Sequence, residues 1–240
     1  MTMDGTRVYI VGRSEVAIID PGPDLPDHLA AVETAVGDAR VTAILVTHAH
    51  PDHDAAAEPL ARRLHAPVYA GRLGNLRDGE RFSTDAGDLV AVATPGHSPD
   101  HFAFHWPSER AIFCGDLMMG GLDTALVASP EGSIGAYLES LAKLRTLSPT
   151  IIYPSHGEPF TDPAAAIDRY IRHRRDRELQ VLQSLEEGAG EVEEIVESVY
   201  GAGLPAELRR WTAATVMAYL EHLEQQGRVE REGRKWRKRT

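Results

Sequence analysis

Cysteine and long apolar runs are scarce in this chain of 240 residues. The single cysteine, Cys114, excludes an intrachain disulfide framework and any metal site built from several thiolates. No stretch approaches the roughly 20 apolar residues that a membrane-spanning helix needs. The N-terminal segment, residues 1–7, contains an early acid and has no apolar core of the signal-peptide type. We therefore expect a cytoplasmic protein with no membrane partner.

The net charge of −11 is distributed unevenly. Residues 228–240 contain seven Arg or Lys against two Glu, a charge of +5, so the remaining 227 residues carry −16. A basic end on an acidic body can engage a polyanion locally, and Trp236 within it could stack on a base. Alternatively, Trp236 packs against the protein and the cations are solvated. The sequence leaves both interpretations open.

The first two thirds of the chain alternate short apolar segments with Gly and Pro turns. Residues 7–12 and 15–20 predict a hairpin, and residues 41–47 (VTAILVT) predict a strand buried on both faces. Further strands are predicted at 68–70, 89–94, 101–106, 111–114 and 151–153, and helices at 25–36, 54–64 and 134–147. This interleaving indicates an α/β class in which helices cover the sheets.

The pattern becomes helical after residue 160. Helices are predicted at 163–187, at 191–200 and from Pro205 onward, followed by short strands at 228–231 and 234–237. Apolar residues at helical spacing predict one buried face on the third helix: Leu208, Trp211, Thr215, Val216, Tyr219, Leu220 and Leu223. Three helices and a hairpin are the order of a winged helix. We therefore predict two domains, residues 1–168 and a helical linker with a winged-helix-like unit at 169–240.

The strongest chemical signal is the sequence THAHPDH at residues 47–53, directly after the predicted buried strand. Burying three histidines and an aspartate without partners would cost several kcal/mol, and imidazole and carboxylate are ligands that zinc and related divalent ions prefer. More such residues follow later strands. The candidate metal ligands are His48, His50, Asp52, His53, His97, Asp116 and His156.

This ordered set resembles the motifs of the metallo-β-lactamase superfamily, beginning with an early aspartate, Asp20, and covering roughly the first 165 residues. The resemblance implies a four-layer αββα fold with two divalent metal ions, zinc by ligand type, with manganese or iron as alternatives. His48, His50 and His97 would hold the first ion, Asp52, His53 and His156 the second, and Asp116 would bridge both. Ser155 is a departure, because Gly often precedes the last histidine, and we expect it to affect loop shape more than ligation.

The resemblance also implies hydrolysis by a hydroxide that bridges the two ions. Asp52 is the predicted catalytic residue, placed to orient the water and to shuttle a proton. Asp20 is expected to support the metal loop from behind. His101 either orients a ligand or is structural, and Cys114 is expected to be a buried strand residue.

The substrate has to be inferred from the rest of the chain, because this fold serves many reactions. Residues 94–101 (TPGHSPDH), 170–178 (YIRHRRDRE) and 220–227 (LEHLEQQG) are similar to the endoribonuclease-type β-lactamase-like proteins, which implies cleavage of single-stranded RNA. The alternative is a glyoxalase II-like thioesterase or another small-ester hydrolase. A non-enzymatic winged-helix DNA binder is disfavoured by the complete ligand set. The sequence leaves the oligomeric state open.

Overall fold

The computed structural model describes residues 5–122 and 124–239. Residues 1–4 of the N-terminal segment discussed above lie outside this description. Among the described residues, no helix combines the length and apolar character needed to cross a membrane.

The first sheet contains four strands in the order β1-β2-β3-β4, in which β1 and β2 form the expected hairpin and β3 lies parallel to both β2 and β4. Three helices accompany it. The bounds are β1 Tyr9–Val11, β2 Glu15–Ile19, α1 Pro26–Val36, β3 Arg40–Val46, α2 Pro51–Asp54, α3 Ala57–Leu64 and β4 Val68–Ala70. Because β3 is central, it is buried on both faces, as its unbroken apolar sequence predicted.

The second sheet contains five strands in the order β5-β6-β7-β8-β9, antiparallel except for the parallel pair β8 and β9. Its bounds and those of its helices are β5 Arg81–Thr84, β6 Gly87–Ala93, β7 Phe102–Trp106, β8 Ala111–Phe113, α4 Ile134–Thr146, β9 Ile151–Tyr153 and α5 Pro163–Glu186. Four of these five strands match predicted ones.

Successive side chains of a strand point to opposite faces of its sheet, and this alternation produces the layers. Ile19 and Leu45 of the first sheet pack with Phe104 and Phe113 of the second in a core between the sheets. Residues at neighbouring positions, such as Ile18 and Ile44, point the other way and pack against α1 and α3. The outer face of the second sheet packs likewise against α4 and α5. The result is the predicted four-layer αββα arrangement.

The C-terminal unit consists of α6 (Val192–Tyr200), α7 (Ala206–Gln225) and an antiparallel hairpin of β10 (Val229–Glu232) and β11 (Lys235–Lys238). It shares one hydrophobic core with α4 and α5. Helix α5 continues without interruption across residue 168, so the domain boundary proposed there does not coincide with the end of an element. The boundary stays a prediction.

Some local predictions differ from the structure. Strand β5 was not predicted, because only Phe82 of its four residues is apolar. The helix predicted at 54–64 begins later, as α3 at Ala57, and the short helix α2 that precedes it was not predicted. Leu208 and Trp211 were expected in the buried face of α7 but are 37% and 50% exposed. Helical spacing predicts which residues share a face, but that face is buried only where another element packs on it. Residues 206–211, in the first turns of α7, are exposed.

Candidate metal centre

The candidate ligands lie where strands of both sheets end at one edge of the molecule. The loop after β3 and helix α2 hold four of them, because Pro51 starts a helix directly after His50 and turns Asp52 and His53 inward. The other three follow β6, β8 and β9. All seven predicted residues come together in two groups whose possible ligand atoms lie within 4.8 Å of one another: His48, His50, His97 and Asp116, and then Asp52, His53 and His156.

The first group is formed by three ring nitrogens that converge on one point. His50 Nδ1 lies 2.9 Å from His48 Nε2 and 3.2 Å from His97 Nε2. A neutral imidazole whose outer nitrogen donates a hydrogen bond presents only a lone pair on its inner nitrogen, and lone pairs cannot satisfy one another. A cation at the point of convergence would satisfy all three.

Asp116 lies between the two groups. Its Oδ2 is 3.9 Å from His97 Nε2, whereas its Oδ1 is 3.5 Å from His53 Nε2 and 3.4 Å from His156 Nε2. The two carboxylate oxygens thus face different groups, which is the arrangement that the bridging role requires. Asp52 completes the second group, with Oδ2 3.3 Å from His156 Nε2 and 2.9 Å from the Thr6 hydroxyl that donates to it.

Each histidine ring also has a partner on its outer side. His97 Nδ1 donates to the Leu126 carbonyl at 2.7 Å, His156 Nδ1 to the Gly5 carbonyl at 3.0 Å, and His48 Nδ1 lies 3.0 Å from the Thr47 hydroxyl. His50 is turned the other way, and its Nε2 lies 3.8 Å from Glu131. Such outer contacts fix ring tautomer and orientation at metal sites.

The outer partner of His53 is Asp20, which is fully buried. Its carboxylate accepts from four donors, namely His53 Nδ1 at 2.8 Å, the Thr47 amide at 2.8 Å, the Thr47 hydroxyl at 2.9 Å and the Ser155 hydroxyl at 2.8 Å. Asp20 therefore supports the metal loop from behind, as expected. The unusual Ser155 takes part in this support as a donor.

Two buried atoms inside the centre lack a hydrogen-bond partner among the described residues, namely His53 Nε2 and Asp116 Oδ1. Leaving such atoms unsatisfied costs free energy. The two atoms lie 3.5 Å from each other on the side of the second group, and a divalent metal ion of the kind that imidazole and carboxylate bind would satisfy both.

Electrostatics differ between the groups. Burial and the neighbouring rings, His53 foremost, lower the pKa of His48, and burial lowers the pKa of His97. Burial also opposes protonation of His53, but the carboxylates of Asp20 and Asp116 outweigh it and raise its pKa. Burial disfavours the ionised form of Asp116, yet the hydrogen bond and charge of His53 and the charges of other rings lower its pKa to about 2. Among the histidines, the pKa values of His48 and His97 in the first group are thus lowered, whereas that of His53 in the second group is raised.

His101 lies behind the first group and is 1% exposed. Its Nδ1 is 2.9 Å from the Thr94 hydroxyl, and its ring centroid is 5.2 Å from that of His48. Burial lowers its pKa to about 3, which keeps the ring neutral. It contacts the ligand rings by packing, not by a hydrogen bond to them. Cys114 is fully buried after β8, as expected.

The segment at residues 124–133, here called the rim segment, borders the first group and was not expected from the sequence. It provides the Leu126 carbonyl and the Glu131 carboxylate described above. Its sequence, TALVASPEGS, contains no ligand motif, and its main contact with the centre uses a backbone carbonyl that any residue could supply. Leu126 itself is 41% exposed.

The basic hairpin makes mainly internal contacts. Trp236 is 4% exposed, and its amide donates to the Gly190 carbonyl, so the side chain packs into the unit. Arg237 pairs with Glu230 and Glu232, while Arg228, Lys238 and Arg239 also pair with glutamates. Of the two interpretations of Trp236, the structure supports packing.

The fold and the paired groups define the chain as a metal-dependent hydrolase. It belongs to the metallo-beta-lactamase superfamily, whose family model matches residues 2–75 and 74–156. A model of the beta-lactamase associated winged helix domain matches residues 192–236, which confirms the C-terminal fold.

Known proteins resemble the chain over most of its length. An atrochrysone carboxyl ACP thioesterase from Aspergillus chevalieri is 34% identical over 218 residues, or 83% of this chain and 69% of the relative. A beta-lactamase domain protein from Burkholderia ambifaria shares the fold, with a TM-score of 0.79 at 20% identity over 100% of this chain and 93% of that one. The protein TTHA1623, solved in a di-iron-bound form, is 30% identical with a TM-score of 0.57 and covers 67% of this chain and 92% of its own.

Proposed function

We propose that the chain hydrolyses thioesters of apolar acyl groups, with two divalent ions held by His48, His50 and His97, by Asp52, His53 and His156, and by a bridging Asp116. The observation that carries this proposal is the character of the rim segment, which borders the first metal group. The Leu126 carbonyl contacts His97 and the residue is 41% exposed, whereas Glu131 adds a negative charge near His50. An apolar acyl chain can cover Leu126, and a polyanion would be repelled by Glu131.

Single-stranded RNA as the substrate stays a prediction, with less support than the thioester. Four of the seven basic residues of the hairpin segment are paired with glutamates, and Trp236 is buried, so it cannot stack on a base. The similarity to an Aspergillus relative named as an ACP thioesterase favours the thioester as well.

Two bound divalent ions would supply a water of lowered pKa and would stabilise negative charge that develops on the substrate carbonyl. Zinc suits the donor set, and iron is the metal of the TTHA1623 form. The protein orients the donors: Asp20 and the Leu126 carbonyl hold the rings of His53 and His97 in one tautomer.

Asp52 is the proposed proton carrier. Its side chain is 29% exposed, and the Thr6 hydroxyl and His156 hold its Oδ2. The hydrogen bond from His156 lowers the pKa of the Asp52 carboxyl, which keeps it ionised and able to accept a hydrogen bond from a water and so to orient it. A thiolate leaving group, whose acid has a pKa of about 8.5, needs little further help from a general acid.

A parallel substrate series tests the proposal. Metal-loaded protein is assayed with octanoyl and acetyl thioesters of N-acetylcysteamine, with bis(p-nitrophenyl) phosphate, with a single-stranded RNA oligonucleotide and with a β-lactam. We expect kcat/KM for the octanoyl thioester to be the highest of the series, and lactam turnover to be negligible. RNA cleavage that exceeds thioester turnover and is lost in Asp116→Ala would overturn the proposal.

The rim can be tested directly with Leu126→Glu. A carboxylate beside the acyl chain should lower kcat/KM for the octanoyl thioester by about tenfold, since losing an apolar contact of 1–2 kcal/mol corresponds to that factor. The acetyl thioester should lose much less. Leu179→Glu, at a 60% exposed leucine of α5, is the matched control and should leave both values unchanged.

A further inference from the structure

The rim segment touches the first group at three points. The Leu126 carbonyl accepts from His97 at 2.7 Å, and the Ser133 amide donates to the Gly96 carbonyl, next to His97, at 2.8 Å. Glu131 lies 3.8 Å from His50 Nε2. His97 thus has its outer hydrogen-bond partner on this short stretch of chain, and His50 has a carboxylate of the same stretch nearby.

The other side of the rim segment is attached to the C-terminal helices. The Ser129 amide donates to the Ala214 carbonyl of α7 at 3.0 Å, and the Ser129 hydroxyl donates to Glu221 Oε1 of α7 at 2.9 Å. Arg174 of α5, which is 3% exposed, donates to the Ala125 carbonyl and lies against Tyr219 of α7. Ser129 is therefore the point where α7 holds the segment between Leu126 and Glu131.

We propose that α7 positions the first metal group through the rim segment, and that Glu221 is the positioning residue. This inference rests on the metal ligands proposed above. Glu221 touches no ligand, so its effect passes through Ser129 to the Leu126 carbonyl and Glu131. Loss of the outer partner of a metal-binding histidine typically weakens metal binding by about 10–100-fold, and an effect passed on by one more contact falls at the lower end of that range.

The second group provides an internal reference. Its outer partners are Asp20 and the Gly5 carbonyl, which lie outside the rim segment. A disturbance of Ser129 should therefore weaken metal binding at the first group and leave metal binding at the second unchanged. A role of Glu221 in general stability would affect both groups alike.

The experiment uses the full chain and three variants of α7. Glu221→Ala removes the acceptor for Ser129, Glu221→Gln keeps an acceptor oxygen, and Glu224→Ala is the control at an exposed glutamate one turn along the same helix. Apo-protein is titrated with Zn²⁺ against a chelator to obtain both binding constants. Histidine-labelled apo-protein is also followed by NMR at the Nδ1–H of His97 and of His53.

In Glu221→Ala we expect one of the two Zn²⁺ constants to weaken by about tenfold and the His97 signal to shift, with the His53 signal unchanged. Glu221→Gln and Glu224→Ala should resemble the parent chain. Equal weakening of both constants, or an unmoved His97 signal, would overturn the inference. A parent chain that takes up no Zn²⁺ would overturn the proposed metal centre, whereas the NMR result tests the link to α7 without any metal.

Discussion

The two metal groups are similar in ligand chemistry but differ in what supports them. The second group is backed by Asp20, a fully buried carboxylate with four donors from the three residues Thr47, His53 and Ser155. The first group is backed largely by the rim segment, where Glu131 has a side chain 67% exposed and Leu126 contributes only a carbonyl. One half of the centre is thus fixed by the core, and the other depends on a surface segment that we propose also borders the substrate.

The largest effect should come from Asp116→Ala, which removes the residue proposed to bridge both groups. We expect the loss of at least one ion per chain and a fall in kcat/KM well beyond 100-fold, since removing a mere outer partner already costs about 10–100-fold. Elemental analysis and thioester turnover measure the two effects. Full activity in this variant would contradict the two-ion centre, and the two groups could then not be compared as two metal sites.

Asp20→Asn should give the next largest effect and should fall on the second group. The variant loses the charge beside His53 and places an amide N–H among donors, so we expect a loss of about 2–4 kcal/mol in the free energy of unfolding and roughly 10–100-fold weaker binding of one ion. Urea unfolding and Zn²⁺ titration measure these quantities.

Asp27→Asn, at an exposed aspartate of α1, controls for the change of charge. If Asp20→Asn weakened the binding of both ions to the same extent, the two groups would not be supported separately.

Ser155→Ala should give the smallest effect. It removes one of the four donors to Asp20 and leaves three, so a loss of about 1 kcal/mol in stability and a change of only a few-fold in affinity at the second group are expected. Ser184→Ala, at a buried serine of α5 whose hydroxyl bonds within its own helix, should cost similar stability without changing metal binding. A loss in Ser155→Ala as large as that in Asp20→Asn would mean that the serine is essential to the support.

The contrast between the groups also explains which parts of the centre could be predicted from the sequence. The seven ligand candidates follow apolar strands, and the ends of strands in two packed sheets meet at one edge, so their convergence was predictable. The support by Asp20 was predicted as well, because the residue occupies a position in the superfamily pattern. The role of Leu126 could not be predicted, since its contact is made by a backbone carbonyl.

The same reasoning applies to the fold. Strands with continuous apolar sequences, such as β3, were predicted, whereas β5 has one apolar residue and was missed. Leu208 and Trp211 have the spacing of a buried face, yet both side chains are exposed, and only the tertiary structure reveals this. Sequence patterns identify which surfaces of an element are apolar, but not whether another part of the chain covers them.

Helix α5 limits how freely the two domains can be recombined. It begins at Pro163, its Tyr170 hydroxyl donates to the Met119 carbonyl, and its Arg174 holds Ala125 before the helix ends at Glu186. A chimera that exchanged the C-terminal unit at residue 168 would replace these contacts along with the winged helix. A crossover placed after α5, at Gly188 or Gly190, would keep them in their native context and would make α7 the main exchanged element that meets the rim segment.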